Sequence, residues 1–108
     1  MRAGEVLING IDAGLLIETD EGKYIFKYYK DYLKSPLVQP VSLTMPLQEE
    51  AYNSDTLFPF FFNMLSEGEN REAQSRLLGI PVEDDFGFLL ATCSYDTIGN
   101  VTVIPTEL

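Results

Sequence analysis

The apolar residues of this chain change their spacing near its middle. Between Lys23 and Tyr28, polar and apolar side chains alternate, as they do in a half-buried strand. A later group recurs instead at helical spacing: Leu57, Phe60, Phe61, Met64 and Leu65. Because the first pattern buries one face of a sheet and the second buries one side of a helix, the chain is predicted to fold as an α+β domain.

The first third of the sequence predicts a small antiparallel sheet. Asn9-Gly10 favours a type I′ hairpin turn, because both residues tolerate positive φ, and a second turn follows at Asp20–Gly22. The three strands around these turns form a meander, which a C-terminal strand is predicted to close. The predicted strands are Glu5–Ile8, about Gly14–Glu18, Lys23–Tyr28 and Val101–Ile104, with Val41–Thr44 as a candidate edge strand.

About three short helices are predicted to pack on this sheet. The first is buried, with Thr56 as its N-cap and Pro59 in its first turn, where proline is tolerated. The second is predicted to carry Arg71, Glu72 and Arg76 on its exposed side, and it closes at Gly79, a typical C-terminal stop. The helices are centred on Leu57–Leu65, Glu69–Leu78 and Asp85–Thr92, with a single helical turn at Asp31–Lys34. A chain of 108 residues is about one ordinary domain, so we expect a single domain over residues 1–108.

The charge of the chain is strongly negative and unevenly placed. Seventeen acidic and seven basic residues give a formal net charge of −10. Residues 47–108 carry eleven of the acids and only Arg71 and Arg76 as bases. Direct nucleic-acid binding depends on basic residues that displace counterions, so it is disfavoured, and a basic protein partner fits better. The plainer alternative is that the acidity only keeps a small domain in solution.

The residues of common catalytic and metal sites are nearly absent. The sequence has no histidine and one cysteine, so no Ser-His-Asp triad, Cys-His pair or Cys/His zinc site can be assembled. We interpret the carboxylates at Glu49-Glu50 and Glu83–Asp85 as solvated turns, because they lack the alternating spacing of a calcium loop. The sequence therefore predicts no catalytic, cofactor-binding or metal-binding residues and no enzymatic activity.

Two features of the sequence, Cys93 and the N-terminal segment, indicate the cellular compartment of the protein. A lone cysteine in an apolar run is typical of a small buried side chain and indicates a reducing compartment. The N-terminus lacks the apolar region of a signal peptide, and no apolar run approaches the ~20 residues that span a bilayer. We expect a cytoplasmic protein with no membrane association.

The tripeptide Asp85-Phe86-Gly87 has the letters of the magnesium-binding motif of protein kinases. In a kinase this motif works beside a glycine-rich loop, a strand lysine and a catalytic loop, which are supplied by a much longer chain. None of these companions occurs in this sequence. Chance or core packing is the better interpretation of the tripeptide.

Three ordered segments carry a family resemblance. They are LVQPVSLTMPLQ (Leu37–Gln48), TLFPFFFNMLSEGENRE (Thr56–Glu72) and DDFGFLLATCSYDTIGNVTVIPTE (Asp84–Glu107). In order and spacing they closely resemble the N-terminal subdomain of the HipA family of serine/threonine kinase toxins. The resemblance covers nearly the whole chain, and the kinase core of the family would begin where this sequence stops.

The resemblance implies a role in a toxin–antitoxin system. In the three-component HipBST relatives, this subdomain is a separate small antitoxin, HipS, which acts on a shortened kinase. By that resemblance the partners are a HipT-like serine/threonine kinase toxin and a HipB-like helix-turn-helix protein that supplies DNA binding. Two alternatives are an N-terminal regulatory fragment of a full-length HipA-like kinase and a non-catalytic scaffold subunit.

The segment after the predicted aromatic helix is the candidate partner contact. A buried helix gives a stable platform for a presented loop, although Ser66–Gly68 is also an ordinary helix end. The resemblance favours a contact near the active site of the kinase, and docking on a remote face is the alternative. The predicted contact residues are Met64, Leu65, Ser66, Glu67, Gly68, Glu69, Asn70 and Arg71.

Overall fold

The computed structural model describes residues 1–36, 38–94 and 100–108. Its strands form one antiparallel sheet in the order β4-β3-β2-β1-β5, and its helices pack against one face of it, so the predicted α+β class is confirmed. Leu37 and residues 95–99, which belong to two of the motifs quoted above, lie outside the described residues. The elements are β1 Arg2–Ile8, β2 Ile11–Glu18, β3 Tyr24–Tyr28, α1 Lys30–Leu33, β4 Tyr52–Ser54, α2 Pro59–Phe62, α3 Gly68–Leu78, α4 Asp85–Thr92 and β5 Val101–Thr106.

The predicted meander and its closing strand are confirmed. Asn9 and Gly10 have φ values of 54° and 79° between β1 and β2, the positive values that a type I′ turn requires. Strand β5 pairs antiparallel with β1, with Val103 opposite Val6. The backbone N–H of Asn9 also donates to the carbonyl of Asn100 at 2.9 Å, so the hairpin turn is tied to the start of β5.

The sheet has one covered and one uncovered face. Alternate residues of the central strands point to the helices and are fully buried, among them Val6, Leu16 and Phe26. We call this the inner face. The alternating residues between them form the outer face, at whose border lie Tyr29 and Lys30 of the start of α1. It carries Ala3, Glu5, Leu7, Leu15, Ile17, Ile25, Lys27, Thr102 and Ile104.

The edge strand was predicted in the wrong place. The sheet ends at Tyr52–Ser54, which pairs with β3, whereas Val41–Thr44 contributes only to an isolated bridge between Ser42 and Met45. The buried hydroxyl of Tyr28 explains this position, because it accepts from the N–H of Val41 at 2.9 Å and donates to the carbonyl of Met45 at 2.5 Å. A side chain of the core satisfies these backbone groups in place of a neighbouring strand.

The aromatic helix is shorter than predicted. Helix α2 covers only Pro59–Phe62, and Phe58 rather than Thr56 occupies the N-cap position. After α2 the backbone hydrogen bonds span three residues, as in a 3₁₀ turn. The N–H groups of Met64 and Leu65 donate to the carbonyls of Phe61 and Phe62. The chain therefore leaves the helix in a tight turn that directs it toward α3.

Helices α3 and α4 agree closely with the predicted boundaries. Gly79 ends α3 with a φ of 68°, a left-handed value that favours glycine. Asp84 caps α4, since its carboxylate accepts from the N–H of Gly87 at 3.1 Å. Within the described ranges, no helix is long and apolar enough to cross a membrane.

Candidate partner-binding site

Most of the predicted contact loop is the beginning of a helix. Helix α3 starts at Gly68, so Gly68–Arg71 form its first turn, and of the predicted loop only Ser66 and Glu67 lie outside the helices and the tight turn after α2. Glu67 is extended, and Gly68 has a φ of 59°. A left-handed glycine turns the chain sharply into the helix, whose later residues favour helical structure. The presented element is therefore a helix N-terminus instead of a flexible loop.

Two of the predicted contact residues are anchors of the core. Leu65 is only 8% exposed and belongs to the main hydrophobic cluster, while Met64 is half-buried against it. The carbonyl of Met64 also lies 3.9 Å from the thiol of Cys93, the residue directly after α4. Burial raises the pKa of that thiol, which agrees with the predicted structural role of Cys93. Leu65 fixes the segment from beneath and has little surface for a partner.

Arg71 joins α3 to α4. Its side chain is 13% exposed, so the prediction that it lies on the open side of the helix is wrong. The guanidinium donates to the carbonyl of Val82 at 2.8 Å and to Oδ1 of Asp85 at 2.6 Å. It also lies 4.7 Å from the ring centre of Phe88, a cation–π distance. Arg71 thus holds the helix that carries the predicted contact.

The exposed part of the segment is acidic. We call Glu67, Gly68, Glu69 and Asn70 the acidic turn, since all four are exposed and two carry carboxylates. Just before it, the hydroxyl of Ser66 accepts a hydrogen bond from Gln74 of α3 at 3.2 Å, which closes the base of the turn. Carboxylates at a helix N-terminus also favour the helix itself. The acidic turn is therefore held on a fixed support whether or not a partner binds.

The kinase-like tripeptide has a structural explanation. Asp85 is the partner of Arg71, and Phe86 is completely buried, which confirms core packing for its ring. Gly87 lies so close to the carboxylate of Asp84 that a side chain at this position would collide with it. Each residue of the tripeptide is thus used in joining α4 to its neighbours.

The carboxylates before α4 are not all solvated, and here the sequence interpretation was wrong. Asp84 receives two hydrogen bonds from Arg2, at 3.0 and 2.8 Å, and Arg2 also donates to Glu18 at 2.8 Å. The hydrogen bond from Arg2 holds the pKa of the Asp84 carboxyl below its usual value. Asp84 and Asp85 are both ion-paired, whereas Glu83 is exposed. In the part of the chain that the structure describes, no three potential ligands cluster to hold a metal ion.

The fold is that of a small two-layer α+β domain, with helices on one face of an antiparallel sheet and the acidic turn at the start of α3. The profile of the HipA N-terminal domain family matches residues 4–104, so the chain belongs to that family. A solved N-terminal domain of HipA toxin superimposes with a TM-score of 0.73 at 32% identity, covering 99% of this chain and 94% of that one. An uncharacterized protein of Haemophilus influenzae is 37% identical over 90 residues, which are 83% of this chain and 80% of that protein. The family resemblance carried by the three sequence motifs is confirmed.

Proposed function

We propose that this chain is a HipS-like antitoxin, which neutralises a HipT-like serine/threonine kinase toxin by protein–protein contact in the cytoplasm. A HipB-like helix-turn-helix protein would complete the complex and supply its DNA binding. The observation that carries this proposal is the match of nearly the whole chain to the HipA N-terminal domain. A domain from a kinase toxin family is well suited to recognise a kinase of that family.

The acidic turn is the part of the surface that best fits the kinase. Glu67 and Glu69 present two carboxylates that are not ion-paired within the described residues. A kinase cleft that accommodates ATP phosphates is electropositive, so these carboxylates would speed association and orient the domain. Because α3 is fixed to α4 through Arg71, the turn would dock with little loss of conformational freedom.

Neutralisation of this kind requires no chemistry from the antitoxin. The sequence has no histidine. Asp85, the acid of the kinase-like tripeptide, is bound to Arg71, and the neighbouring Asp84 is bound to Arg2. The single cysteine is buried. We therefore propose a non-catalytic inhibitor that needs no cofactor.

The second candidate is the N-terminal regulatory part of a full-length HipA-like kinase. The solved relative favours it, because that structure is named as one domain of a toxin. A general scaffold subunit is the third alternative. The gene neighbourhood separates them: a kinase reading frame that starts just downstream supports the antitoxin, a continuous frame supports the kinase fragment, and the absence of both supports the scaffold.

The experiment for the proposed function is growth rescue. The HipT-like kinase proposed as the partner is expressed from an inducible promoter, alone and together with this chain. We expect the kinase alone to arrest growth, coexpression to restore it, and the two proteins to copurify. Normal copurification without growth rescue would support the scaffold alternative and overturn the antitoxin role. Absence of both copurification and rescue would overturn the proposed partnership with the kinase.

A further inference from the structure

The outer face of the sheet is apolar at its centre, where Leu15, Ile17 and Ile25 are only partly buried, and Tyr29 and Lys30 at the start of α1 lie at its border. Leu15, Ile17 and Ile25 lie side by side on β2 and β3, and Ile104 on β5 is 38% exposed. A shallow hollow of about 300 Å³ opens between β2 and β3, with Leu15, Ile17 and Ile25 among its lining residues and Lys27 and Lys30 beside them. An uncovered apolar face of this kind indicates an interaction surface.

Two rows of residues cross this face. In one row Glu5 of β1 lies beside Leu15 of β2, which lies beside Lys27 of β3. Since neighbouring strands are about 4.8 Å apart, the opposite charges flank Leu15 at roughly equal distances, about 10 Å from each other. Neither charge has an ion-pair partner within the described residues.

The next row has the same arrangement in side-chain size. Ala3 of β1, which is only 2% exposed, lies beside Ile17 of β2, and Ile17 lies beside Ile25 of β3. A small side chain therefore stands on one side of β2 and a large one on the other. When either row faces a copy of itself with β1 and β3 exchanged, an acid meets a base in the first row and a small side chain meets a large one in the second.

We propose that this face is an interface between two copies of the chain, related by a two-fold axis that runs parallel to β2 and lies between the two sheets. Rotation about this axis places Glu5 of one copy opposite Lys27 of the other, and Ala3 opposite Ile25. An axis perpendicular to the strands would instead place Glu5 against Glu5. A two-fold interface must be self-complementary, and only the first axis meets that requirement.

The size of the face agrees with a reversible dimer. Five strands spaced about 4.8 Å apart, with about six residues each, offer roughly 500 Å² per copy. Two copies would bury about 1,000 Å², near the lower limit for a specific interface. Aligned packing of two sheets is a common arrangement, and Leu7 of each copy would project toward the hollow of the other.

The dimer is independent of kinase binding. The acidic turn belongs to the helix layer, because α2 packs on the inner face through the ring contact of Phe61 with Phe26, at 5.8 Å between centroids. Two sheets joined at their outer faces would leave both acidic turns exposed on opposite sides. The inference therefore predicts an antitoxin with two separate kinase-binding surfaces, and the dimer itself can be tested without any kinase.

Sedimentation equilibrium of the purified chain is the first test, from low micromolar to millimolar concentration. We expect a reversible monomer–dimer equilibrium, and Ile17→Asp should weaken the dimer at least about tenfold by placing a charge in the apolar centre. Leu77→Asp, at an 84% exposed site on α3, is the matched control and should leave the dimer unchanged. A monomer at every concentration, or a dimer that persists in folded Ile17→Asp protein, would overturn the proposal.

Charge reversal tests the axis. Glu5→Lys places two like charges at each contact, as does Lys27→Glu, so each variant alone should dimerise about tenfold more weakly. An equimolar mixture of the two variants should form a heterodimer at least as well as the unaltered chain forms its homodimer, because each contact is then between opposite charges. Circular dichroism checks that both variants are folded. A mixture that associates no better than its components would contradict the proposed axis.

Discussion

Arg71 and Asp85 form a hydrogen-bonded ion pair that joins the first turn of α3 to the first turn of α4, with 2.6 Å between Nη2 and Oδ1. Helix α3 contains no buried residue, so it cannot rely on an apolar face of its own for attachment. The same guanidinium also binds the carbonyl of Val82. One side chain therefore provides much of the connection between the acidic turn and the rest of the domain.

Replacing Arg71 should destabilise the domain more than replacing an exposed arginine would, because its side chain is only 13% exposed. Arg71→Ala leaves the carbonyl of Val82 and the carboxylate of Asp85 without their donor, and we expect a loss of about 1–3 kcal/mol in the free energy of unfolding. Urea denaturation measures this loss, and hydrogen exchange should show faster opening of α3. Arg76→Ala on the same helix is the matched control, because Arg76 is exposed; its change should stay within about 0.5 kcal/mol. Equal stability of the two variants would contradict the anchoring role.

Asp84 should make the free energy of unfolding of the domain depend on pH. Its pKa is lowered chiefly by the hydrogen bond from Arg2, so the unfolded chain takes up this proton at a higher pH than the folded protein. The stabilisation is present above the ordinary value of 3.8 and is lost as the pH falls through the lower folded value. Asp84→Asn should flatten this part of the stability curve, measured by urea midpoints at successive pH values. Glu83→Gln, at the exposed neighbouring carboxylate, should leave it unchanged; an identical effect of both substitutions would refute the assignment to Asp84.

Phe60 and Phe61 should differ in their importance to the core. Phe61 is completely buried and contacts the rings of Phe26, Phe58 and Phe60, whereas Phe60 is only partly buried. Phe61→Ala should cost about 3–5 kcal/mol, a large share of the stability of a small domain, and Phe60→Ala clearly less. Thermal unfolding by calorimetry ranks the two variants. If the order is reversed, the placement of α2 on the inner face is wrong.

The isolated chain should not bind operator DNA. Its net charge of −10 repels phosphates, and three of its seven basic residues, Arg2, Lys23 and Arg71, are in ion pairs within the described part of the domain. Fluorescence anisotropy with labelled operator at physiological salt should show no change up to high concentration. Addition of the HipB-like protein should produce binding under the same conditions. A specific shift by the chain alone would contradict this prediction.

The sequence predicted the elements better than the contacts between them. The hairpin at Asn9-Gly10 and the closing strand follow from local turn chemistry and alternation, which a short window of residues contains. The misplaced edge strand depends on the hydroxyl of Tyr28, which binds backbone groups of Val41 and Met45 that are distant in sequence. No local pattern carries that information.

The candidate site shows the same limit. The sequence predicted Met64 and Leu65 within the aromatic helix and Ser66–Arg71 as the loop after it, whereas α2 ends at Phe62. The burial of Leu65 and Arg71 could not be predicted. A charged residue in a helix is expected to be exposed. Only the hydrogen bond to Asp85, 14 residues further on, makes Arg71 an anchor of α3. Whether the segment contacts a kinase stays a prediction.

Inhibition of the partner kinase by the purified chain tests the central claim most directly. The HipT-like kinase proposed as the partner is assayed for phosphate transfer while the chain is titrated to and beyond equimolar amounts, and calorimetry measures the affinity. The account predicts that Glu67→Ala/Glu69→Ala, with an unchanged melting temperature, inhibits less effectively than the unaltered chain. It predicts that Glu49→Ala/Glu50→Ala, which removes the same charge from exposed residues elsewhere, inhibits normally. Full inhibition by both double variants would remove the acidic turn from the mechanism, and no inhibition by the unaltered chain would contradict the antitoxin function itself.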